Sequence, residues 1–269
     1  MLALDILIPL IAAGAFTGFI AGLFGVGGGM VIVPIVLWLL HRQDPNLEYA
    51  QHIAAATSLA VMVFTNLSSV YAQNKRGAVR WDFVRSMALA IVMGTFFGAW
   101  SSKFISNGFL QTFFVIFAYF VAFQNFFPFS PTPKNEDIKI LTKSTAGGVI
   151  GLLSSWVGIG GGTLSVPFLV WCRVPIQQAI GTSSALGWPV ALAGTVGYIV
   201  SGLQVQGLPE GSLGFVYFPA VLILAIATVA LAPLGVKVAH KLPAKRLKQV
   251  FGVFLMIVAT RMAWQVWFS

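Results

Sequence analysis

Residues 25–34 read GVGGGMVIVP, and residues 158–167 read GIGGGTLSVP. Each block has four glycines in the same register, an apolar run closed by a proline (Pro34, Pro167), and a tryptophan four residues further on (Trp38, Trp171). An apolar stretch long enough to enter a membrane precedes each one. A glycine break inside apolar helix, present once per half, is the pattern of a discontinuous membrane helix in a chain built from two repeats.

The composition fits that reading. Of 269 residues, 58% are hydrophobic and only 9% are charged, against roughly 25% charged in soluble domains. So few charges cannot cover a water-facing surface, and lipid must do so. The net charge of +9 is assigned to loops held on one side of a membrane, not to nucleic-acid binding. Cys172 is the only cysteine, so no intrachain disulfide can form, and it reads as a small apolar residue at a helix end. No basic residue precedes Arg42, so residues 2–24 are expected to be a retained first helix, not a signal peptide.

Apolar segments are expected at 2–24, 30–40, 50–72, 83–101 and 109–129. After the polar linker SPTPKNEDIKILTK (130–143) they resume at 144–157, 163–172, 177–200, 213–236 and 247–267. The expected domains are a first repeat, 1–129, and a second, 144–269, joined by a cytoplasmic linker. The halves align at an offset of 133 in the glycine blocks and 125 at Thr57-Ser58 against Thr182-Ser183.

The segments at 30–40 and 163–172 are shorter than the roughly 20 residues that span a bilayer. Charge decides how to count them. If all ten segments alternate sides, only Arg42, Lys103 and Arg261 of the 16 Lys and Arg residues fall on one side. If the short ones turn back, the cations divide evenly. The first count obeys the positive-inside bias. It makes the repeats inverted, puts both termini outside the cytoplasm, and gives an all-α polytopic membrane protein with glycine-broken helices.

A helix restarting after such a break presents free N–H groups and the positive end of its dipole, which suits an anion. The candidate binding residues are therefore Gly25, Gly27, Gly28 and Gly29, with Gly158, Gly160, Gly161 and Gly162. The opposing reading is that these glycines only let helices pack closely. Thr57, Ser58, Thr182, Ser183 and Ser184 open the following segments and are candidate hydroxyl donors, unless they bond back to their own helices. Asn66 and Gln124 read as interhelical glue. Arg261 either snorkels to the outer interface or attracts anions from a cavity. Nothing in the chain spells a catalytic triad, a metal site or a cofactor motif, which argues against an enzyme.

GLFGVGGGMVIVP, GIGGGTLSVPFLVWCRVPIQQAIGTSSALG and ALAPLGVKVAHKLPAKRLKQVFGVFL together resemble the sulfite exporter TauE/SafE family of membrane permeases over essentially the whole chain. The resemblance implies transport of a small sulfur-containing anion, such as sulfite, thiosulfate or an organosulfonate, across the bacterial inner membrane. The first half departs from it in reading AAATSLA where the second reads AIGTSSALG. An anion channel and a non-transporting membrane scaffold are the rival readings.

Overall fold

The computed structural model describes residues 4–24, 27–126, 139–239 and 244–267. They form ten α-helices: α1 (Leu4–Phe24), α2 (Gly29–Gln43), α3 (Ala50–Asn74), α4 (Trp81–Ser101), α5 (Asn107–Phe126), α6 (Ile140–Val157), α7 (Gly162–Trp171), α8 (Ile176–Gly202), α9 (Phe218–Ala239) and α10 (Ala244–Trp267). Each coincides with one expected segment. Most of the linker expected at 130–143, part of the basic stretch 237–248, and Gly25 lie outside the described residues.

The ninth segment does not begin at Leu213. Ser212–Leu213 (β1) pairs antiparallel with Val216–Tyr217 (β2), and α9 starts only at Phe218. Gly211 and Gly214 adopt positive φ (85° and 55°), which interrupts any helix there. Pro219 then sits in the first turn of α9, where its missing N–H costs nothing.

Among the described residues five helices, α3, α4, α5, α8 and α9, are long and apolar enough to cross a membrane. By contrast α7, with 10 residues, is only about 15 Å long, half the hydrocarbon thickness. Large apolar side chains such as Leu89, Ile116, Phe120, Leu222 and Ile226 point outward, while Thr17, Thr57, Ser58, Asn66, Thr95, Ser154 and Thr182 are buried. An apolar exterior around a hydroxyl-lined interior is the distribution lipid solvation demands.

Two seams hold the bundle. In α1, Gly14, Gly18 and Gly22 face Ala227, Thr228 and Ala232 of α9, and in α6, Gly147 and Gly151 face Met87, Ile91 and Thr95 of α4. Small residues four apart let two backbones approach, which is how helices associate where no hydrophobic force drives them. At the centre α3 packs against α8.

Helix ends gather on two faces. At one, the Arg80 N–H donates to Thr182 Oγ1 (2.9 Å), Ser144 Oγ to the Ser86 carbonyl (3.3 Å), and an Arg76 guanidinium N–H to the Val236 carbonyl (3.4 Å). This face carries Lys75, Arg76, Arg80, Arg85, Lys139, Lys143, Arg173 and Lys237. At the other end of α3, the Gln51 N–H donates to Asn107 Oδ1 (2.8 Å), and His52 Nε2 lies 3.0 Å from the Ser102 carbonyl. That face carries Lys103 and Arg42, and Arg261 lines the same cavity as Arg42.

Candidate functional site at the glycine breaks

The breaks are built by backbone conformations that L side chains resist. Gly27 (φ 72°) and Gly28 (φ 83°) precede α2, while Gly158 (φ 75°) ends α6 and Gly161 (φ 69°) precedes α7. A left-handed residue costs roughly 1–2 kcal/mol when it carries a Cβ. Gly28 and Gly161 are the N-caps of α2 and α7, and neither helix start receives a side-chain cap. The first N–H groups of a helix have no partner within it, so both starts are open donors.

The two blocks touch. A Cβ on Gly29 would fall 2.5 Å from the Gly158 carbonyl oxygen and 2.8 Å from Ile159 Cα. Gly160 and Gly162 are also buried in this contact zone.

Asn66, near the middle of α3, sits between the blocks. A Cβ on Gly27 would fall 2.9 Å from its Oδ1, and one on Gly187 would fall 2.9 Å from its Nδ2 and 2.7 Å from the Gly160 carbonyl oxygen. The residue is 1% exposed, and its Nδ2 has no hydrogen-bond partner among the described residues. Ser154 Oγ and Thr163 Oγ1 are likewise buried and unpartnered, the first 3.6 Å from the position of a Cβ on Gly161. An unmet buried polar group costs about 1–3 kcal/mol. Two of them at the start of α7, with the Asn66 amide between the two blocks, mark a place where a ligand's acceptors would be welcome.

The two helix starts differ. What faces α2 is the Met62 thioether and the Thr17 methyl, beside Asn66 Oδ1. The amide Nδ2 is shared, 3.3 Å from a Cβ on Gly27 and 2.9 Å from one on Gly187, whereas the unpartnered hydroxyls of Ser154 and Thr163 belong to the start of α7.

The expected hydroxyl donors are not gathered at the breaks as free groups. Ser58 Oγ donates to the Gly158 carbonyl (2.8 Å), so it serves the break by satisfying its backbone. Thr57 Oγ1 accepts the Tyr217 N–H (3.0 Å), and Thr182 Oγ1 accepts the Arg80 N–H. These matched threonines thus tether the residues just before α9 and α4. Ser183 and Ser184 donate to the Ile180 carbonyl at 2.9 and 3.1 Å. Arg261 is exposed and lines a cavity that includes none of the break glycines.

Thr57→Val removes the acceptor but keeps the shape, leaving the Tyr217 N–H buried and unmet. It should cost about 1–3 kcal/mol, read as a lower melting temperature in detergent. An unchanged melt would show that water or another group meets that N–H.

Sequence reading assigned Asn66 to glue and overlooked Ser154 and Thr163. A signal was present. At the offset of 125, Met62 aligns with Gly187 and Asn66 with Ala191. The second half thus opens a gap beside the one amide that only the first half carries.

The comparisons agree on one class of protein. A relative from Haemophilus influenzae, described as a probable membrane transporter protein, is 38% identical over 93% of this chain and 95% of its own. One from Methanocaldococcus jannaschii with the same description is 26% identical over 94% and 96%, and one from Bacillus subtilis is 27% identical over 72% and 78%. No solved structure matches. The sulfite exporter TauE/SafE model matches residues 10–262, and the chain is therefore a multi-pass membrane protein belonging to that family of transporters.

Proposed function

We propose that this protein is a secondary transporter for a small sulfur-containing anion (sulfite, thiosulfate or an organosulfonate) and that the anion binds at the start of α7. The carrying observation is the buried, unpartnered Asn66 Nδ2 between the two blocks, with the unpartnered hydroxyls of Ser154 and Thr163 at the uncapped start of α7. Oxyanion oxygens would accept from that amide, from Ser154 and Thr163, and from the free N–H groups of α7, whose dipole favours negative charge. The same donors would oppose a cation.

In this reading residues 1–129 and 144–269 are inverted repeats joined by a cytoplasmic linker. Matched bonds support it. Thr57 of the first half holds the start of α9 in the second, and Thr182 of the second holds the start of α4 in the first. The seams correspond too, α1 on α9 and α6 on α4. Rocking of one repeat against the other would expose the site to each side in turn. The face rich in Lys and Arg is the cytoplasmic one under the positive-inside bias, which puts both termini outside in the bacterial inner membrane. Export then follows the potential, since each negative charge leaving a negative interior gains about 2.3 kcal/mol per 100 mV.

The test is counterflow in liposomes. Vesicles preloaded with sulfite, thiosulfate or sulfoacetate should take up the labelled anion faster than empty ones, and acetate should give no such acceleration. Uptake indifferent to the preload is the behaviour of a channel. No flux of any sulfur anion under any imposed gradient would end the proposal.

A further inference from the structure

A cavity of about 720 Å³ lies between α1, α2 and α10. Its inner end is closed by Phe16 of α1 and Phe254 of α10, whose rings meet edge to face at 5.5 Å. Arg42 and Arg261 line it as well. Arg261 is seven residues beyond Phe254 on α10, and Arg42 is eleven beyond Val31 on α2. The guanidinium groups at the mouth therefore stand roughly 10 Å along α10 from Phe254 and roughly 16 Å along α2 from Val31. These lengths bracket the hydrocarbon thickness of one leaflet, about 15 Å.

The placement of charge is selective. The face at this mouth carries three described cations, Arg42, Lys103 and Arg261, and two of them line this one cavity. Arg42 is held over the Trp38 ring at 4.8 Å. Neither arginine meets a carboxylate among the described residues. Of the lining itself, Phe16 in the body of α1 is an exposed apolar ring, so the cleft opens sideways to lipid as well as to water.

We propose that this cleft is a binding site for one anionic phospholipid, with its phosphate between Arg42 and Arg261 and an acyl chain against Phe16 and Phe254. Guanidinium groups suit phosphate because their planar N–H forks bind its oxygens in pairs. A zwitterionic lipid would fill the apolar part equally well but present a cationic group to the same two arginines. The cavity adjoins the first break at Val31, whose N–H donates to the Gly28 carbonyl (2.9 Å), but its lining does not include the start of α7, and the lipid site does not depend on what is bound there.

The experiment is photo-labelling of the full chain in nanodiscs, using phosphatidylglycerol or phosphatidylcholine with an acyl-chain diazirine, and peptide mapping of the adducts. Labelling of α1, α2 and α10 near Phe16, Val31 and Phe254 should favour phosphatidylglycerol at least tenfold. Each of Arg42→Gln and Arg261→Gln should reduce that preference roughly fivefold. Labelling at Phe120, which faces bulk lipid on α5, should not change, and this confirms that the variants remain folded. Equal labelling by the two lipids, or a preference that survives in the double variant, overturns the proposal. So does stronger protection of the cleft by dodecyl sulfonate than by unlabelled phosphatidylglycerol, which would make the occupant a soluble amphiphile.

Discussion

Gly158→Ala is expected to cost about 2–5 kcal/mol. Two independent terms combine. The residue sits at φ 75°, where a Cβ costs roughly 1–2 kcal/mol. That Cβ would also lie 2.6 Å from Ala55 Cα, 2.8 Å from Ala55 Cβ and 3.0 Å from Val33 Cγ2. Backbone on α3 cannot step aside, and overpacking of this kind costs about 1–3 kcal/mol. Any shift that relieves it also strains the Ser58 bond to the Gly158 carbonyl.

Two other glycines separate the terms. Gly77 has φ 64°, and a methyl added there would meet nothing within 4 Å, so Gly77→Ala carries the strain alone. In the helix interior, a Cβ on Gly148 would meet only the Ala90 carbonyl oxygen at 3.8 Å. Gly148→Ala should be neutral or stabilising by up to about 1 kcal/mol. Melting temperatures in one detergent should therefore rank Gly148→Ala highest, Gly77→Ala next and Gly158→Ala far below. If Gly158→Ala melts with Gly77→Ala, the two blocks do not pack against α3 as described.

The second large effect is functional. Asn66→Ala should slow sulfite or thiosulfate counterflow by about 10- to 100-fold while leaving the melting temperature unchanged or raised. A hydrogen bond to a charged group contributes about 1.5–3 kcal/mol, and each 1.36 kcal/mol is a factor of ten in rate. Removing Nδ2 also removes a buried donor that has no partner in the empty protein, so the fold loses little. Asn66→Asp should be more severe, because a carboxylate at that point repels the anion instead of donating to it, and like charges brought together cost several kcal/mol. The glue reading of Asn66 predicts the reverse pattern: a lower melt, with transport falling only as folded protein is lost. Measuring both quantities on the same preparations decides between them.

The doubled glycine block, the ten apolar segments and the lipid-solvated class were legible in the sequence because each is local. Segment length against bilayer thickness needs no partner, and neither does the need for glycine where a helix breaks and restarts with positive φ. The sparse cations could be counted along the chain for the same reason. The hairpin before α9 was missed because its apolar residues, Leu213, Phe215 and Val216, read as helix when the positive φ of Gly211 and Gly214 is not known.

Which polar groups are free was not legible, because satisfaction is a property of pairs. Ser58 meets Gly158 across 100 residues, Arg80 meets Thr182 across 102, and Tyr217 meets Thr57 across 160. Those partners turned the expected donors into tethers. Asn66 became the open donor because Gly187, from the other half, leaves room beside it and supplies nothing for it to bond. Arg261 joined Arg42 at a cleft only because α10 packs beside α1 and α2. The sequence by itself determined where helices form and break. Tertiary structure decided which of the buried donors the protein keeps for itself and which it leaves unmet, since that depends on contacts no local pattern encodes.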